Sequence, residues 1–144
     1  MLRAMETPPF RPAPAARRTV LAWAPVVAWA ALIFAFSAQP DLRFVPDDGL
    51  DFVVRKVGHM AVFGILALLF WRALSSTTHL RRSWAWALLL AILYAITDEV
   101  HQAFVTGRHA SPVDVAVDAV GVLIAVGVVA GVRQMRQRRQ ARRT

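Results

Sequence analysis

The stretch Thr97–Gly121, TDEVHQAFVTGRHASPVDVAVDAVG, decides how this chain has to be built. It holds four of the nine acidic residues, two of the four histidines and one arginine. An apolar run from Trp84 to Ile96 leads into it, and another from Ala119 to Val132 leads out. Acids set between two such runs must lie at the edge of, or inside, the medium those runs occupy. Over 144 residues the composition is 57% hydrophobic with a mean hydropathy of +0.46. A soluble domain of this size needs a mostly polar surface, so the medium is lipid and the expectation is one membrane domain. The absence of cysteine excludes disulfide scaffolds and thiolate chemistry.

Working outward, residues 1–18 carry four prolines and four arginines and read as a disordered basic lead. The segment 19–133 reads as the transmembrane domain, and 134–144 as an Arg-rich tail. Val20 to Phe36 is free of charge and forms the first span, bent near Pro25. Arg17-Arg18 followed by this run invites comparison with a signal peptide, but the run exceeds the roughly 7–15 residues of a signal core. Gln39 to Asp51 reads as a loop, and Asp51 as the N-cap of a second helix ending near Leu74. Arg55, Lys56 and His59 then fall at one membrane boundary, with the two long cations free to snorkel. Ser75 to Ser83 is a polar turn. Only 15 residues separate Arg82 from Asp98, whereas a span takes about 20. Asp98, Glu99 and His101 must therefore extend the third helix. The fourth begins with Ser111 as N-cap, Pro112 in the first helical position and Asp114 completing a capping-box-like pattern. Asp118 lies about 9 Å along it from Pro112.

Four spans put the two termini and the 72–83 turn on one side. That side carries 13 of the 17 basic residues and one acid, and the other side four basic residues and eight acids. The positive-inside rule predicts cytoplasmic termini, with Trp23, Trp71 and Trp84 as an inner-leaflet aromatic belt. The fold class is thus an all-α, four-helix membrane bundle of the cytoplasmic membrane. The basic tail reads as a retention charge, and no nucleic-acid partner is expected.

Depth estimates bring the unusual residues to one level near the outer boundary. Lys56, His59 and Phe63 share a face of the second helix. Asp98 shares one of the third with Tyr94 and Gln102, and Asp114, Asp118, Gly121 and Ala125 form a stripe on the fourth. Ala87, Ala91, Ala95 and Glu99 form a small-residue stripe, and Gly127-x-x-x-Gly131 a second, both favouring close helix approach. An unpaired charge at mid-membrane costs at least about 2.5–3.5 kcal/mol, which predicts Arg108 and Lys56 as counter-ions of the four carboxylates. The same groups suit acid–base chemistry or inert packing. Asp114 reads equally as a helix cap, Gly107 as a turn residue after Thr106, and His101 and His109 as solvated loop histidines. A metal bound by His59, Glu99, His101 and Asp114 has no HExxH or comparable spacing behind it. No metal and no cofactor is expected.

These residues carry a resemblance. Phe36-Ser37-Ala38-Gln39-Pro40 resembles the FSsQP end of the first helix in the VanZ-like family, and Arg55-Lys56-Val57-Gly58-His59 its D/R-K-x-x-H opening of helix two. Asp98-Glu99-Val100-His101-Gln102-Ala103-Phe104, followed by Gly107-Arg108, Ser111, Asp114 and Gly121, is similar to its DE-x-x-Q-x-F…GR…S…D…G signature. The likeness covers about residues 30 to 125. It departs at Thr106, where proline is frequent, and at Asp118, where asparagine is frequent. The resemblance implies a small multi-helix membrane protein associated with tolerance of teicoplanin-type glycopeptide antibiotics.

The leading expectation is a VanZ-like envelope factor that binds an amphiphile at the outer leaflet, either a lipid-linked wall intermediate or a lipoglycopeptide. Arg108 and Lys56 would meet an anionic headgroup, and His59, Asp98, Glu99, Gln102, Ser111, Asp114 and Asp118 complete the candidate ligand-binding set. The alternative is a membrane-embedded hydrolase or transferase with Asp98 or Glu99 as base and His59 as proton carrier. An ion-coupled transporter is a third class, for which four helices leave room only in a homo-oligomer. Binding leads over catalysis because Ser37 and Ser111 are the only serines near that face and neither neighbours a histidine in sequence.

Overall fold

The computed structural model describes residues 14–40, 45–108 and 110–142. The basic lead up to residue 13 and His109 lie outside the described residues. Four helices follow in order: α1 (Pro14–Ser37), α2 (Asp48–Thr77), α3 (Ser83–Gln102) and α4 (Pro112–Ala141). Among the described residues there is no strand. Each helix is long and apolar enough to cross a membrane, since 20 residues at 1.5 Å rise span about 30 Å.

Helix boundaries follow local chemistry, with one difference from expectation. Asp51 does not cap α2. Asp47 does, its Oδ1 accepting from the Leu50 N–H at 2.7 Å. Asp51 lies one turn further in, only 1% exposed, where it accepts from the Val45 N–H at 3.2 Å and ion-pairs with Arg55 Nε at 3.0 Å. An acid four residues upstream was the better cap, and it freed Asp51 to fasten the incoming chain. At its other end α2 runs on to Thr77, so the turn before α3 is only 78–82 long, with the Ser75 and Ser83 hydroxyls 2.9 Å apart across it. Arg17 and Arg18 already belong to α1, and the arginines after residue 132 ride on α4 as far as Ala141.

Helix α2 is the hub, packing on α1, α3 and α4, whereas α1 only grazes α3 and does not meet α4 among the described residues. The core is Phe63, Leu66, Ala67, Ala87, Ala91 and Val122, each fully buried, with Ala95 next to them. The expected alanine stripe of α3 is therefore the seam it presents to its neighbours. The Gly127-Gly131 pair is not a seam, since a Cβ at either position would meet nothing within 4 Å. Close approach happens one step earlier on α4. A Cβ on Gly121 would stand 2.3 Å from the Met60 carbonyl oxygen, and one on Gly64 would stand 3.2 Å from the Gly121 carbonyl oxygen. The glycine that mattered was the one opposite a backbone.

In lipid there is little hydrophobic drive between helices, so shape and hydrogen bonds hold them together. Helix α1 illustrates this. Trp29 Nε1 donates to the Val62 carbonyl at 2.9 Å, and Tyr94 Oη to the Ala30 carbonyl at 2.7 Å. At the basic end Arg72 donates to the Ala22 carbonyl at 2.9 Å, Trp23 Nε1 to Thr77 Oγ1 at 3.2 Å, and Arg133 lies over the Trp71 ring at 4.2 Å. Outward faces are apolar instead, as with Val27 and Leu123.

Candidate functional site

The tight α2–α4 crossing at Gly121 sets the geometry one turn above it. Asp118 and Asp114 precede Gly121 on the same face of α4, and His59 and Lys56 precede Phe63 on the facing side of α2. Once the backbones meet at Met60, these side chains are brought opposite one another. His59 Nδ1 lies 3.5 Å from each oxygen of the Asp118 carboxylate, itself 2% exposed. The Lys56 ammonium is bonded to Asp114 Oδ1 and also lies 5.1 Å from the centroid of the Phe52 ring. Lys56 is thus committed within the bundle rather than free to snorkel.

A second cluster forms where α3 ends against α1. Asp98 is 4% exposed, and its Oδ2 accepts from Ser37 Oγ at 2.8 Å and from Gln102 Nε2 at 2.9 Å. The Asp98–Gln102 pair is the expected i, i+4 contact. Oδ1 of Asp98 and Oδ1 of Asp118 are buried without a hydrogen-bond partner among the described residues, a costly condition for a polar atom. His101 is not a solvated loop residue. It closes the last turn of α3 and stacks on Phe34 of α1, with centroids 4.2 Å apart and planes at 25°.

Glu99 and Ser111 join the clusters. Ser111 caps α4 as expected, its Oγ accepting from the Val113 N–H at 3.3 Å. The reciprocal half of the capping box does not come from Asp114, which is engaged by Lys56. It comes from α3, where Glu99 Oε1 accepts the Ser111 backbone N–H at 2.6 Å. The arrangement is a capping box split between two helices.

Arg108 differs most from expectation. It ion-pairs with no carboxylate among the described residues. Its Nε and one terminal amino group each donate to the Gln39 carbonyl at 3.2 Å, and the other reaches Gln102 Oε1 at 3.5 Å. Gly107, at φ +81°, supplies the left-handed turn that places it. The guanidinium borders a cavity of about 300 Å³ between α1 and α2, whose lining includes Trp29, Ile33, Ser37, Gly58, His59 and Arg55. Of these, all but His59 escaped the ligand-binding set read from sequence. A lone serine closing an apolar run was the available signal for Ser37, and nothing local marked the cavity.

No group of three or more His, Asp or Glu side chains suited to a metal ion occurs among the described residues. What the arrangement supplies is a low-dielectric floor of paired and half-paired carboxylates, with a guanidinium held by neutral acceptors beside an apolar opening.

Fold and site together define a multi-pass membrane protein with a polar cluster at one end of a four-helix bundle. A family model described as VanZ/LLP1 matches residues 18–133, most of the chain, and the protein belongs to that family. No curated protein and no solved structure matches it.

Proposed function

We propose that this protein is a cell-envelope factor that recognises an anionic amphiphile at the outer leaflet, at the bundle end formed by Asp98 to Asp118. One observation carries the reading: Arg108 is positioned by the Gln39 carbonyl and the Gln102 amide, and no carboxylate among the described residues neutralises it. Lys56 and His59 already face Asp114 and Asp118, so Arg108 rather than Lys56 meets the headgroup. The carboxylates act behind it by fixing the helices that hold it. Tolerance of teicoplanin-type glycopeptides is the phenotype that the family points to.

The test compares Arg108→Ala, Arg108→Lys and His59→Gln for tolerance in one host, and for anionic-lipid retention on purified protein. Arg108→Ala should lose both. Arg108→Lys should keep part of each, because a point charge replaces a two-pronged fork. His59→Gln should keep retention. Full retention by Arg108→Ala would refute the proposal.

A second reading, a hydrolase or transferase, is favoured by one specific contact. The Ser37 hydroxyl borders the cavity and donates to the buried Asp98 carboxylate at 2.8 Å, which is how a general base holds a nucleophile. Under that reading Ser37→Ala abolishes the phenotype and leaves lipid retention intact.

A further inference from the structure

The cavity between α1 and α2 has a shape that the proposed recognition of an anionic amphiphile does not by itself require. From Trp29 to Ser37 on α1, and from Val54 to Val62 on α2, its lining spans nine residues of each helix, about 12 Å at the helical rise. The hydrocarbon of a bilayer is about 30 Å thick, so the cavity runs from the polar end of the bundle to near the bilayer centre and stays within one leaflet. Its walls are apolar below, at Trp29, Ile33 and Val62. Its charged groups gather at the top, where Arg55 and Arg108 both border it. Leu32, Val54 and Phe36, also on the lining, are 43%, 39% and 54% exposed, so the slot opens sideways to the surrounding lipid.

Gly58 forms part of the wall, and a Cβ there would meet nothing within 4 Å. The glycine is therefore not demanded by helix contact, unlike Gly121. It keeps the slot open. At about 300 Å³ the volume is at the small end of ligand sites, which run about 300–1,000 Å³. It suits one hydrocarbon chain and is small for a branched lipoglycopeptide. Arg55 is braced through Nε by the buried Asp51, and Arg108 by neutral acceptors. Two guanidinium groups at one opening suit a group with several acceptor oxygens, and phosphate fits their fork geometry.

We propose that this slot seats the single hydrocarbon chain of a lipid phosphate, with the phosphate at Arg108 and Arg55 and Gly58 admitting the chain. The inference rests on the anionic-amphiphile reading and names its ligand class. The test uses the full chain in phosphatidylcholine nanodiscs with two photoreactive probes, dodecyl phosphate and dodecyl phosphocholine, each bearing a diazirine on the chain. Adduct positions are mapped by mass spectrometry. The phosphate probe should label Trp29, Ile33, Val54 and Val62. Gly58→Leu, and independently Val54→Trp, should lower that labelling about tenfold, the scale of blocking one buried anchor, with the melting temperature kept. Adducts spread over the exposed face of α4 at Leu123, Ile124 and Val128, or labelling indifferent to both blocking variants, would overturn the seat. If labelling off the slot still depends on Arg108, the seat fails and the anionic reading stands. If the phosphocholine probe labels the slot equally and Arg108→Gln changes nothing, the anionic reading fails and the phosphate assignment with it.

Discussion

Glu99 accepts the Ser111 backbone N–H at 2.6 Å across a connection of nine residues, 103–111, which makes it a structural carboxylate before it is a chemical one. Glu99→Ala leaves a backbone donor unmet at the start of α4, a loss of about 1–3 kcal/mol when such a group is buried. The expected outcome is faster amide hydrogen exchange at Val113 to Asp118, with Glu99→Gln protecting most of it because the amide oxygen still accepts. Equal loosening by the two variants would assign Glu99's importance to its charge instead. This contact also marks what sequence can and cannot deliver. The pairing of Asp98 with Gln102 was legible because i, i+4 spacing fixes it within one helix, as was Ser111 as a cap. The Glu99–Ser111, Ser37–Asp98 and Lys56–Asp114 contacts depend on how helices cross, which no local spacing encodes. Arg108 was read as a counter-ion on sound grounds, since a charge near lipid needs a partner. A backbone carbonyl and an amide turned out to be partners enough.

At the scale of elements, two glycine pairs make the same contrast. Gly127 and Gly131 have the small-xxx-small spacing that favours helix association, yet they face open space. Gly121, with Gly64 opposite, forms the real crossing, and a Cβ on Gly121 would press on the Met60 backbone at 2.3 Å. Backbone cannot rotate away as a side chain does, so Gly121→Ala must push α2 from α4. Overpacking of this kind costs about 1–3 kcal/mol or more. It should also separate His59 from Asp118 and Lys56 from Asp114, so stability and ligand retention should fall together. Gly127→Ala and Gly131→Ala should leave the melting temperature in detergent unchanged or slightly raised, alanine being the better helix former by up to about 1 kcal/mol. A Gly127→Ala loss matching that of Gly121→Ala would point to a partner on that face. Helix number and approximate span were legible because apolar length against bilayer thickness settles them. Which glycine forms the crossing was not, since both stripes have the same spacing.

The whole molecule separates its charges end from end. Among the described residues the basic end carries ten of 13 cations and the other end all seven acids, while the basic end is also where Arg72 and Arg133 are bound to Ala22 and Trp71. Cationic connections are retained in the cytoplasm, so the Asp98–Asp118 end is expected outside. The proposed function depends on this, because an envelope ligand in the outer leaflet is out of reach if the bundle is inverted. Since the chain has no cysteine, single cysteines report orientation without a background. Phe104, 84% exposed in the α3–α4 connection, and Leu80, 44% exposed in the α2–α3 turn, lie at opposite ends. In intact cells a membrane-impermeant maleimide should label Phe104→Cys and spare Leu80→Cys, and permeabilisation should expose the second. Labelling of Leu80→Cys alone would turn the site to the cytoplasm. The arginine pair and its cavity would then serve an inner-leaflet phosphate, and recognition of an extracellular glycopeptide or wall intermediate would be excluded while the slot between α1 and α2 kept its chemistry.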